Sequence, residues 1–167
     1  MSEIKIRFVR SKGLESDAIA WREKTCMPFT PSHTECVTPE GKWLGQHIDG
    51  GMQAREAGYD ENNVAILPDG RCCEIIVSLP VSQAQADAFY AAANALIGQP
   101  YDWKAIIGFG VTFHEHQKFH AICSAQMLLL LRTKGCEYFA WPLVVPAHLV
   151  DPRDLFLILS SHVKIDH

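Results

Sequence analysis

The order in which the hydrophobic period changes along the chain restricts its folding more than any other feature. Ile4 to Arg10 alternates apolar and charged residues, the pattern of a half-buried strand. SHTECVT (32–38) and KWLGQHI (42–48) read as two further strands, joined by the turn chemistry of Thr38-Pro39-Glu40-Gly41. IDGGMQAREAGY (48–59) starts with glycines and reads as an irregular third strand of that group. Cys72 to Leu79 reads as another strand, ending at Pro80. Helix signals then take over. Ser82 with Gln85 makes a capping box, alanines follow as far as Ile97, and Gly98 closes the segment. Ile122 to Lys134 is a second strong helix, closed by Gly135, and shorter helices are predicted over 13–25 and 102–109. DLFLILS (154–160) reads as a buried last strand. This order predicts an α+β fold, a single domain spanning residues 1–167.

The chain's 167 residues suffice for one core of ordinary size. A net charge of −4 and a pI near 6.0 give no electrostatic reason to expect nucleic acid or an anionic membrane as a partner. The opening MSEIKIRFVRSKG lacks the apolar core of a signal peptide. The longest apolar run, Met127 to Leu131, is far short of the ~20 residues of a membrane span. A cytoplasmic protein without a membrane span is the expectation, and nothing fixes an oligomeric state. Six cysteines in a chain of this size are expected to be mostly reduced.

Chemistry concentrates in FHEHQKFHAICSAQ (113–126). His114, His116, His120 and Cys123 are residue types that zinc takes as ligands, but their spacing matches no common finger or ribbon. Lys118 stands where a zincin helix needs its second histidine. No metal and no other cofactor is therefore expected. Cys123 stands where the apolar helical period begins. The positive end of the helix dipole favours a thiolate there, and free backbone N–H groups can hold an oxyanion. A small buried core cysteine fits the same position.

Gly98-Gln99-Pro100-Tyr101-Asp102-Trp103, then Ile122-Cys123-Ser124 on a helix, then Pro152-Arg153-Asp154-Leu155, form an ordered set. The set resembles the NlpC-type papain-fold cysteine hydrolases, with their G-x-P-Y-x-W segment, C-S nucleophile pair and P-G-D-L strand. The hairpin from Ser32 to Gly45 resembles the family's histidine strand and its return strand, but it precedes the cysteine, with His33 90 residues ahead of Cys123. That is the order of the circularly permuted, YiiX-like branch, which includes phage-encoded members. The likeness runs from about Ile4 to Leu159.

The resemblance implies a papain-like antiparallel sheet packed against a few helices, one carrying the nucleophile. It implies Cys123 as nucleophile, His33 as general base and Tyr101 lining the cleft near the oxyanion. Glu35 lies two residues beyond His33 on the same strand face, about 7 Å along. It is taken as the group that orients the imidazole. Relatives usually draw this third residue from the return strand near Gly45, where glycine cannot serve, so Gln46 and His47 stand as alternatives. His162, in SHVKI, is set aside for His33 because too few residues follow it to form a return strand. The implied activity is a peptidase or amidase, its relatives cutting cell-wall peptides, working through a thioester on a peptide or acyl substrate. The alternatives are an acyltransferase or thioesterase on lipid-like esters, and a non-catalytic binding or phage assembly protein that keeps the fold.

Overall fold

The computed structural model describes residues 2–12, 30–47, 49–66, 70, 72–100, 123–139, 147 and 150–161. Five antiparallel strands form one sheet in the order β4-β3-β2-β1-β5: β1 Ser2–Val9, β2 His33–Val37, β3 Trp43–His47, β4 Gly51–Arg55 and β5 Glu74–Val81. Three helices follow: α1 Gln83–Ala95, α2 Cys123–Leu131 and α3 Pro152–Ser160. The α+β class is as expected. No helix among the described residues is long and apolar enough to cross a membrane.

The central strand β1 is paired along its length with β5 and, from Lys5 to Val9, with β2. Its alternation sends Ile4, Ile6 and Phe8 to one face, where they join Cys36, Leu44, Met52, Val77 and Leu79 in the buried core. The three helices cover that face. α1 packs on β1, α2 on β2 and β3, and α3 on α2 and β5. Phe156 of α3 meets Phe8 edge to face, with ring centroids 5.3 Å apart. Pro80 lies within β5, which a sheet tolerates because β5 is an edge strand.

The other edge is covered. Met52 N–H donates to Gln99 O at 2.8 Å, and Gly98 N–H donates to Met52 O at 2.8 Å. The start of the G-x-P-Y-x-W segment thus closes the free side of β4. Gly51 makes this approach possible. It has φ +75°, and a Cβ there would stand 1.9 Å from Gln99 O.

α1 begins with the expected capping box. Gln85 N–H donates to Ser82 Oγ at 3.2 Å, and Ser82 N–H donates to Gln85 Oε1 at 3.0 Å. DLFLILS corrects the reading above, since it is helical rather than extended. Asp151 caps the helix by accepting from Asp154 N–H at 2.7 Å, and Pro152 occupies its first turn. A run of five apolar residues fits strand and helix alike. The deciding signal is the Asp-Pro-x-Asp start. The helices expected over 13–25 and 102–109 lie outside the described residues.

Candidate active site

The sheet face turned away from the helices carries most of the site. Arg7 of β1 pairs in register with Glu35 of β2, and Val9 with His33. A charged residue on an alternating strand ordinarily marks a wet face, yet Arg7 is fully buried. Its guanidinium lies over the Trp43 ring, 3.6 Å from the centroid. Nη1 donates to Glu35 Oε1 at 2.8 Å and to Asp60 Oδ2 at 3.0 Å. Nη2 donates to Asp60 Oδ1 at 3.1 Å, and Nε to Glu74 Oε2 at 2.9 Å. One cation is therefore divided among three carboxylates. Burial pushes Glu35 up to about 7 against the pull of Arg7, and the negative charge of Asp60 adds to the rise.

His33 opens β2, and its Nε2 stands 3.5 Å from Glu35 Oε1. With that nitrogen turned to the carboxylate, Nδ1 is the ring atom left for other chemistry. The β2–β3 ladder pairs Glu35 with Gly45. Extending that register by two residues sets His33 opposite His47, and the ring centroids are 5.2 Å apart. Tyr59 Oη donates to Glu35 Oε1 and stands 3.3 Å from both that oxygen and His47 Nδ1. Burial pushes His33 down to about 3, with His47 and then Arg7 adding to it. Burial, then Arg55, brings His47 to about 4. Both rings are neutral at neutral pH.

Gly45 makes room for this arrangement. A Cβ at that position would stand 2.9 Å from Glu35 Cγ and 3.2 Å from its Cβ. The residue that cannot act as a third catalytic group is the one that lets Glu35 lie flat across the sheet. Gln46 is buried, and alternation turns it to the helix-covered face. Of the two alternatives to Glu35, only His47 shares the face of His33.

Cys123 is the first residue of α2 and is 4% exposed. The backbone of Thr34, the residue after His33, faces its thiol and favours the ionised form, as does the backbone of Ser124. Burial outweighs both and pushes the thiol up to about 12, and the charge of Glu35 adds to the rise. This corrects the expectation of a depressed thiol pKa. A helix terminus supplies about 0.3–1 kcal/mol, less than one pKa unit. Full burial takes up to roughly 3–5 units the other way. Ser124 anchors the helix start by donating Oγ–H to Val150 O at 2.7 Å.

The structure thus sets Cys123 against β2 from the helix-covered side and gathers His33, Glu35 and His47 on the opposite face of that strand and its neighbour. It brings the last three together, but not Cys123 with them. Tyr101, the loop histidines His114, His116 and His120, and His162 lie outside the described residues. Sequence reasoning did not anticipate Arg7, Trp43, Tyr59 or Asp60. Arg7 and Trp43 fall at strand positions that read as solvent-facing, and Tyr59 and Asp60 belong to a turn with no periodicity. No protein-family model matches the chain, and no curated protein matches it significantly.

Proposed function

We propose that the chain is a cysteine hydrolase, a peptidase or amidase of permuted papain-like (NlpC-type) design, with Cys123, His33 and Glu35 as its working groups. The observation that carries the reading is the seat of the Cys123 thiol against the Thr34 backbone. It puts the head of a buried helix beside the strand residue that follows His33. Glu35 Oε1 stands 3.5 Å from His33 Nε2, too far for a hydrogen bond as the two lie. It is close enough for a small rotation to make Glu35 the orienting partner a catalytic imidazole needs.

The raised thiol and the lowered imidazole make the resting pair neutral. Thiol deprotonation then accompanies attack rather than preceding it. Alternation directs the His33 ring to the other sheet face, so it must reach round the first residue of β2 to meet the thiol. Nδ1 then takes the proton as sulfur adds to the substrate carbonyl, and Glu35 steadies the imidazolium through Nε2. Backbone N–H groups at the start of α2 hold the oxyanion. Collapse expels the amine or alcohol with the proton from His33 and leaves an acyl thioester. A water molecule activated by the same ring then hydrolyses it and restores the thiol. Transfer to an acceptor other than water would make the same machinery an acyltransferase.

A second reading, a non-catalytic binding protein that keeps the fold, also has support. Cys123 is buried, and alternation directs His33 to the sheet face opposite the helices. Incubating the native chain with a small activated acyl ester separates the two. The hydrolase reading expects one acyl group per chain, mapped to Cys123 and absent from Cys123→Ala. Acylation of exposed Cys72 alone would favour the binding protein.

A further inference from the structure

We propose that His33 Nε2, His47 Nε2 and Glu35 Oε2 form a binding site for one divalent transition-metal ion of the zinc class. The ligating atoms of these three residues lie within 4.8 Å of one another. His33 Nε2, His47 Nε2 and Glu35 Oε2 are all buried, and each lacks a hydrogen-bond partner. Orphaned buried polar atoms are uncommon, and three converging on one point call for a shared partner.

The surroundings indicate what that partner is. Glu35 Oε1 is occupied by Arg7 Nη1 at 2.8 Å and by the Tyr59 hydroxyl at 3.3 Å, which leaves Oε2 as a free acceptor. Because Tyr59 spends its proton on Glu35, its oxygen accepts from His47 Nδ1–H at 3.3 Å. His47 is thereby held in the tautomer whose Nε2 carries a lone pair. In many proteins a hydrogen bond of this kind to the ring nitrogen away from the metal fixes the metal-binding histidines. With Glu35 ionised, the site presents lone pairs on both His47 Nε2 and Glu35 Oε2, 4.0 Å apart. Around it Arg7 faces Glu35, Asp60 and Glu74, an excess of negative charge that a dication offsets. Two imidazoles and one carboxylate with an open position form a common zinc ligand set. At bond lengths of about 2.0–2.2 Å, tetrahedral ligands stand about 3.4 Å apart, so small side-chain rotations close the site.

The binding stands on this geometry alone, while its consequence rests on the function proposed above. A metal on His33 Nε2 displaces Glu35 from the ring and keeps the imidazole from taking up a proton, so occupancy would silence the base.

Cobalt titration of the full chain, followed by its visible d–d absorption and by competition with zinc, tests the proposal. One cobalt per chain is expected in the wild type, in Cys123→Ala and in His116→Ala/His120→Ala. His47→Ala should weaken binding at least tenfold. Tyr59→Phe removes no ligand but takes away the hydroxyl that holds His47 Nδ1 and Glu35 Oε1, and should weaken it about 10- to 100-fold. It also serves as the deciding variant if His47→Ala fails to fold. Absence of a saturable band, full affinity in Tyr59→Phe, or loss confined to the His116/His120 variant would overturn the site. Cobalt binding in a chain whose Cys123 is never acylated would remove the hydrolase reading and leave the site standing.

Discussion

A methyl group added at Gly45 would collide with the aliphatic part of Glu35. Gly45→Ala should therefore cost about 1–3 kcal/mol in urea unfolding, the range for overpacking a tight position. It should also slow Cys123 acylation by moving the carboxylate away from His33. Arg7 is the other residue on which the site depends. Replacing it by Met leaves Glu35, Asp60 and Glu74 facing one another without their shared cation. A loss of about 3–5 kcal/mol is expected, the range for breaking a buried ion pair. Unfolding indistinguishable from wild type would mean the guanidinium does not hold the three carboxylates together.

The hairpin of β2 and β3 carries both histidines, and its titration couples to folding. His33 and His47 have folded-state pKa values lowered to about 3 and about 4 from an ordinary 6.5. Each contributes stability that is present above pH 6.5 and lost as pH falls through the folded value. Glu35, raised to about 7, has the opposite sign: its contribution is full below 4.5 and lost as pH rises through 7. Between pH 4.5 and 6.5 the histidines prevail, with a net uptake of about one proton on unfolding. Stability should thus rise with pH across that window and flatten or fall near 7. Urea midpoints measured at several pH values check this, and a His33→Gln/His47→Gln chain should reverse the slope. The groups facing these rings, besides each other, are Glu35, Tyr59, Arg7, Arg55, Asp49 and Asp60. At the same scale, the strands and the two capped helices were legible because alternation and caps are local signals. The helical DLFLILS was not, since its apolar run fits either period and only the cap at Asp151 decides. Asp151→Ala should cost about 1 kcal/mol of stability, readable as a shift in the urea midpoint.

Across the whole molecule, β2 brings together what the chain keeps far apart. His33 and Glu35 were legible from their spacing, but their electrostatic setting was not. It depends on Arg7, Asp60 and Glu74, which reach the same face only through the β1–β2 and β1–β5 ladders. Burial also inverts the expected state of Cys123, because a sequence gives the dipole at a helix start without the desolvation around it. The central claim is that His33 takes the proton of Cys123. The rate of Cys123 acylation between pH 5 and 8, measured with a chelator present, tests it most directly. Since His33 is neutral throughout that range while Glu35 ionises near 7, the account predicts a wild-type profile that is flat apart from one step as the Glu35 carboxylate forms. His33→Ala should lower the rate about 10²- to 10⁴-fold and give a rise of about tenfold per pH unit, as thiolate alone becomes the nucleophile. A wild-type profile that already climbs tenfold per unit and is unchanged by His33→Ala would contradict the account.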